Sequence, residues 1–388
     1  MTLCFFSAQY LPTVGGVERY TFNLAKRVVQ AGHRALVVTS ALPGLPSEEI
    51  DENGIQIFRL PVWPLMGGRF PVPKPGRALR AQLARVWAQK PDFCLINTRF
   101  YLSSLYAARA CRRRRIPSIV VEHSTGHLPM GKGLPGLAGH CYEHLACWYL
   151  RRCRARFFGV SQAVCRWLEH FGIRAEGTLY NAVDPAELES ILAGAPPFDW
   201  RQELGLDPGT RLAAFVGRII PEKGVEELTE AFEAAHLSGT ALVVAGDGPQ
   251  LAKLKAKAPA GVFFAGSVSY PRVLQLYRQA NLYCLPTRYA EGFPTTFLEA
   301  AACGCPILTT VTGGSGELLR DESYGMQLPA DYTVSQLTLA LKQALQDPAW
   351  GRQAAQKTRQ NLLEHFTWQS VTEELLRIAR FSEGDTPC

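Results

Sequence analysis

Long apolar runs are missing from this 388-residue chain. None reaches the roughly 18–20 residues that a membrane-crossing helix needs. The opening residues, MTLCFFSAQY, have no basic lead-in and turn polar at Ser7 and Gln9, so they read as a buried first strand and not as a secretory signal. The eleven cysteines are odd in number and form no C-x-x-C pair. That disfavours a disulfide framework and predicts free thiols in a reducing, cytoplasmic setting. The first strand-to-helix turn, PTVGGVERY, is not a G-x-G-x-x-G fingerprint, and no Walker A sequence occurs. Aromatic residues are not interleaved with the arginine clusters, which argues against nucleic acid as a partner.

What is present describes an ordinary globular protein, 47% hydrophobic and 19% charged. The length favours two domains over one core. Charge is divided unevenly. Residues 1–184 hold 24 Lys and Arg against 11 Asp and Glu, and residues 185–388 hold 17 against 23. Two clusters, Arg112–Arg115 and Arg151, Arg152, Arg154 and Arg156, dominate the basic half. Such a face suits either solvent or an anionic membrane surface, with peripheral attachment at the inner side of the cytoplasmic membrane. His140, His144 and Cys147, with Cys141 and Cys153 nearby, have helical spacing and suggest either a metal site or a buried helix; the buried helix is favoured and no metal is expected.

Short β-branched and aromatic runs alternate with helical patterns along the whole chain. In the first half the runs are LCFFSA, ALVVTS, IQIFRL, DFCLIN, PSIVVEH, RFFGVS and GTLYNAV. In the second they are LAAFVG, ALVVAG, VFFAG, NLYCLPT and PILTT. Residues 17–31 keep Val17, Tyr20, Leu24 and Val28 on one helical face. Unbroken apolar strands alternating with helices predict parallel sheets covered on both faces. The expected fold class is therefore α/β, with two tandem doubly wound, Rossmann-like domains at 1–184 and 185–365. The Pro/Gly/Asp-rich stretch 183–209 marks the region between them, residues 350–380 read as helical, and a last segment, 366–388, follows.

In doubly wound domains ligands bind outside the carboxyl ends of the strands, and four loops there carry unusual residues. In PTVGGVERY, Gly15 and Gly16 open a helix and let backbone N–H groups approach an anion. In VVEHSTGH, a strand runs directly into Glu122 and His123. In FVGRIIPEKGVEEL, Arg218 and Lys223 bracket a short loop, a pair suited to a diphosphate. In AEGFPTTFLEAAACGCP, Glu291 and Glu299 are separated by seven uncharged residues around a new helix start, whose first N–H groups are free to donate. Two carboxylates so placed can accept from two sets of sugar hydroxyls.

These four loops, in this order, resemble the group 1 (family 4) glycosyltransferases, which are retaining, nucleotide-sugar-dependent enzymes of the GT-B fold. The Glu-x7-Glu motif is the most specific element, followed by VGRIIPEKG; VAGDGP, LYNAVD and TGGSGELL support it. The resemblance implies an active site in the cleft between the domains and a C-terminal helix returning to the first one. It implies that Gly15, Gly16, Arg218 and Lys223 bind the donor diphosphate, that Glu299 holds the ribose, and that Glu291 holds the donor sugar. Gly292, Phe293, Pro294, Thr295 and Thr296 would line the donor, with Gly246 and Val268 beside the base. His123 would sit at the anomeric centre, and His123, Glu291, Arg218 and Lys223 would carry catalysis. The expected partners are a UDP- or GDP-sugar donor and a glycan or lipid-linked acceptor. Ala182 in LYNAVD departs from the family, which more often has glycine after the asparagine, and Pro294 removes one N–H from the sugar loop. No Asp-x-Asp motif occurs, so cationic side chains and helix dipoles would neutralise the leaving group, with no cofactor. A nucleotide-sugar-binding partner without turnover, or a phosphorylase or epimerase on the same fold, are the competing readings.

Overall fold

The computed structural model describes residues 1–13, 15–128, 131 and 133–384. The chain divides into two compact units, one of residues 1–181 with 368–388 and one of residues 182–367.

In the first unit the strands are β1 (Thr2–Phe6), β2 (Arg34–Ser40), β3 (Glu48–Ile50), β4 (Gln56–Leu60), β7 (Phe93–Asn97), β8 (Ser118–Glu122), β9 (Arg156–Gly159) and β10 (Gly177–Thr178). They form one sheet in the order β10-β9-β8-β7-β1-β2-β4-β3. All neighbours are parallel except β3, which runs antiparallel to β4 at the edge. A separate hairpin pairs β5 (Val62–Leu65) with β6 (Phe70–Pro73). The core joins Phe6, Val38, Phe58, Ile96, Val120 and Phe157 to Ala107, Cys147 and Leu150 of the covering helices. The Gly16–Gln30 helix buries Tyr20, Leu24 and Val28, the face read from its spacing.

In the second unit β11 (Arg211–Val216), β12 (Thr240–Ala245), β13 (Val262–Gly266), β14 (Leu282–Leu285), β15 (Ile307–Thr310) and β16 (Met326–Leu328) lie in the order β13-β12-β11-β14-β15-β16, all parallel. The first strand is central and the order reverses beside it. That reversal opens a crevice between the loops after β11 and β14, where doubly wound sheets bind ligands.

The C-terminal helical stretch is two helices, Pro348–His365 and Trp368–Gly384. The break falls at Phe366 and Thr367, where the Val183 N–H donates to the Phe366 carbonyl (3.1 Å) and Val183 bridges Thr367. The second helix packs on Gly16–Gln30, with Trp368 edge-on to Tyr20 at 5.5 Å.

Candidate active site

The second unit gathers its candidates around the β11/β14 switch point. Gly217 follows β11, and the loop to Gly224 carries Arg218 and Lys223; the loop after β14 carries Tyr289 and Glu291. Lys223 Nζ donates to Glu291 Oε1. Arg218 and Lys223 both face the Tyr289 ring, at 5.7 and 5.5 Å from its centroid. Lys223 and Glu291 are mostly enclosed, whereas Arg218 is exposed. Next to Arg218, Ile219 is fully buried while Val216 and Ile220 are half-buried.

The next helix runs from Thr295 to Ala302 behind Pro294. The N–H groups of Thr295 and Thr296 precede its first intrahelical bond and point out of the helix start. Glu299 lies on the buried side, 6% exposed, and Oε1 accepts from Tyr270 Oη at 3.1 Å. Phe293 differs from its sequence reading. Its ring is buried edge-on to Phe366 at 5.2 Å and leaves no room for a Cβ at Gly314. It anchors the loop, so only its backbone is available to a donor. Gly292 is buried as well, and Val268, past β13, is half-buried against the core around β11 and β12.

Glycine at 246 has a steric reason. Its φ is 146°, and a Cβ there would stand 1.8 Å from the Gly217 carbonyl oxygen. Gly217 N–H donates to Ala245 O (3.1 Å) and Ile219 N–H to Asp247 O (2.8 Å). The VAGDGP loop thus lies backbone to backbone on the Arg218 loop and sets its path.

In the first unit His123 stands past β8 and is fixed from below. Asn97, the last residue of β7, donates through Nδ2 to Thr21 Oγ1 (3.0 Å), and that hydroxyl donates to the Val17 carbonyl (2.7 Å). These bonds turn Asn97 Oδ1 toward His123 Nε2 at 2.8 Å. The imidazole proton is therefore on Nε2, and Nδ1 keeps its lone pair. Burial pushes the His123 imidazole down to about 4, only partly opposed by Glu122. The ring is neutral at neutral pH.

The unfolded chain takes up this proton nearer 6.5, so folding stability should fall as pH drops from 6.5 toward 4. Urea unfolding of the wild type and His123→Gln across that window checks it. The variant should lose less stability, and identical slopes would refute the assignment.

Sequence reasoning missed a buried ion network beneath this loop. Arg99 is fully buried; Nη1 lies 2.8 Å from Glu122 Oε2 and Nη2 2.7 Å from Glu143 Oε1. Glu122 Oε1 accepts the His123 N–H (3.1 Å), and Glu143 pairs with His127 Nδ1 (2.7 Å). Glu122 stands out at the end of its strand, but its partner Arg99 is marked only as a lone arginine after the apolar FCLIN strand and Thr98.

At the Gly16–Gln30 helix, a Cβ on Gly16 would meet nothing, while one on Gly15 would strike Glu18 Oε2 at 2.2 Å. The Glu18 carboxylate occupies the helix start, and burial raises its pKa, partly offset by its own backbone hydrogen bond. The anion position inferred from the paired glycines is thus met by an internal carboxylate. Beside it a cavity of about 400 Å³ is lined by Gln9, Tyr10, Thr13, Glu18, Ser40 and Arg69, among others. Gln9 Nε2 donates to the Gly68 carbonyl (2.8 Å) and ties the β5–β6 connection to one wall.

Among the described residues no three His, Cys, Asp or Glu side chains could hold a metal ion. Cys147 is buried, while His140 and His144 are exposed. His140 stacks on His127 at 3.9 Å and His144 packs on His170 at 5.1 Å.

Two doubly wound units in tandem, each with polar groups at its strand ends, define the GT-B fold class. The chain belongs to the group 1 (family 4) glycosyltransferases: the Glycosyltransferase Family 4 model matches residues 14–187 and the Glycosyl transferases group 1 model residues 198–363. Glycogen synthase of Mycobacterium tuberculosis is 25% identical over 399 residues, 96% of this chain and 92% of that protein. A GDP-mannose-dependent alpha-mannosyltransferase of the same species is 26% identical over 95% of this chain and 93% of its own. Among solved structures, HepE of Anabaena in complex with UDP superposes with a TM-score of 0.72 at 20% identity, covering 98% of this chain and 100% of its own. Sucrose-phosphate synthase of Thermosynechococcus elongatus gives 0.74 at 19% identity, covering 99% and 100%.

Proposed function

We propose that this glycosyltransferase moves a sugar, with retention, from a UDP- or GDP-sugar to a hydroxyl of a lipid-linked or polysaccharide glycan. The observation that carries the reading is the Lys223–Glu291 pair with Arg218 across Tyr289, at the β11/β14 switch point. Two cations and a helix start there suit a departing diphosphate, and a partly enclosed carboxylate beside them suits sugar hydroxyls. That HepE was solved with UDP-glucose supports such a donor. A structurally similar protein, WaaG, is described as a glycosyltransferase of lipopolysaccharide biosynthesis, which supports a glycan acceptor on lipid.

In this reading Arg218, Lys223 and the N–H groups of Thr295 and Thr296 take up the negative charge of the leaving group. Glu291 accepts from the donor sugar and Glu299 from the ribose. The neutral His123 positions the sugar at the anomeric centre, and the acceptor enters beside Gln9, Glu18 and Arg69. Attack and departure occur on the same face. The chain works in the cytoplasm, and turnover needs no divalent ion.

Thermal shift with UDP, GDP, ADP and their sugars, followed by donor hydrolysis with and without EDTA, tests the reading. One nucleotide should stabilise the protein and its sugar should turn over in EDTA. Arg218→Ala should weaken that nucleotide by about tenfold or more, the worth of one charge-assisted contact. Complete loss on chelation, restored by a divalent ion, would overturn the metal-free mechanism. Nucleotide binding without turnover of any donor would make the chain a binding subunit.

A further inference from the structure

The Leu134–Arg152 helix is apolar on both sides. It buries Gly139, Glu143, Ala146, Cys147 and Leu150 against the first unit. Directly opposite, at helical spacing, Leu134 is 82% exposed, Leu137 60%, Leu145 61% and Trp148 50%, with Cys141 exposed between them. The stripe is about 21 Å long at 1.5 Å per residue. Between Leu134 and Leu150 the helix has no Lys, Arg or Asp, and its one glutamate is Glu143, which is buried. An ordinary surface helix puts charge on that face.

At the C-terminal end the chemistry changes abruptly. Arg152 continues the line of the stripe and stacks over Trp148, 5.0 Å from the ring centroid. Arg112, at the end of the Leu102–Arg114 helix, donates to the Arg152 carbonyl. Arg112, Arg113, Arg114, Arg115, Arg151, Arg152 and Arg154 are all exposed, and none pairs with a carboxylate among the described residues. An uncharged apolar stripe that ends in a tryptophan and an unneutralised arginine cluster matches a lipid surface: acyl chains for the leucines, the interface for the indole, anionic headgroups for the guanidinium groups.

We infer that the outward face of the Leu134–Arg152 helix docks on an anionic bilayer, with Leu134, Leu137, Leu145 and Trp148 inserted below the headgroups and the two arginine clusters holding them there. This names the partner that a lipid-linked acceptor in the proposed function would require, and it replaces a purely electrostatic attachment with one anchored by apolar side chains. None of these residues belongs to the donor or acceptor groups, so docking and turnover are read separately.

The probe is an environment-sensitive fluorophore on Cys141, in a Cys388→Ser background, mixed with vesicles of equal phosphatidylglycerol and phosphatidylcholine or of phosphatidylcholine alone. On the anionic vesicles the emission should rise and shift to the blue, and nitroxides on the acyl chains should quench it. Leu137→Glu with Leu145→Glu, both at exposed positions, should weaken vesicle partition by at least roughly tenfold and leave donor hydrolysis and circular dichroism unchanged. A Cys141 probe that stays in water while the protein sediments with vesicles would overturn the proposal. So would a double-glutamate variant that binds as tightly as the wild type, or a wild type that is a dimer with the probe already shielded before lipid is added. A failed docking experiment beside normal donor hydrolysis would leave the proposed function standing.

Discussion

Glu299→Ala should weaken binding of the free nucleoside diphosphate by roughly 10- to 100-fold, the worth of one or two hydrogen bonds to a carboxylate. Glu291→Ala should leave nucleotide affinity nearly unchanged and lower turnover of the sugar donor by about 100-fold or more, an effect typical of losing a group that acts in the transition state. The contrast follows from placement. Glu299 is buried on its helix and held by Tyr270, so its carboxylate is already desolvated and aimed before a ligand arrives. Glu291 is tied to Lys223 in the loop ahead of that helix. In the proposed reading, removing Glu291 frees the ammonium for a phosphate, whereas removing Glu299 takes away the carboxylate assigned to the ribose. Calorimetry with the nucleotide and steady-state rates on the two variants decide the matter. Loss of nucleotide in Glu291→Ala and not in Glu299→Ala would reverse the two roles.

The largest structural effect is expected at Gly246. A Cβ 1.8 Å from a backbone oxygen cannot be relieved by turning a side chain, and the φ of 146° is itself a conformation that L-residues rarely adopt. Gly246→Val must therefore push the VAGDGP loop off the Arg218 loop. The cost should be about 4 kcal/mol or more, in the range reserved for core overpacking and backbone strain, and nucleotide-induced stabilisation should vanish with it. Gly16→Ala is the control: a Cβ there meets open space, so folding should change by about 1 kcal/mol at most. Chemical denaturation of both variants, with and without nucleotide, checks the pair. Equal destabilisation of the two would show that the close approach at Gly246 is not what the glycine serves.

Much of the architecture could be read in the chain because it is written in local periods. Continuous apolar runs such as ALVVAG can be buried only with both faces covered, which means a parallel sheet between helices. Tyr20, Leu24 and Val28 recur at helical spacing and are buried as that spacing requires. The family motif placed Glu291 and Glu299 on either side of a helix start for the same local reason.

The sequence could not say who meets whom. Lys223 and Glu291 are 68 residues apart and touch because β14 lies beside β11, a matter of strand order. His123 is fixed by Asn97, 26 residues away on the neighbouring strand, and that contact chooses its tautomer. Phe293 sits in a motif read as ligand-facing, yet its ring turns into the core because Phe366 waits there. LAGHCYEHLACWYL read as a buried helix, but a helix can bury only the side its neighbours cover, and here one apolar side is covered while the other is left open. Period and composition fix which faces are apolar; only packing, which obeys the long-range arrangement of the sheets, decides which of those faces finds a partner within the chain.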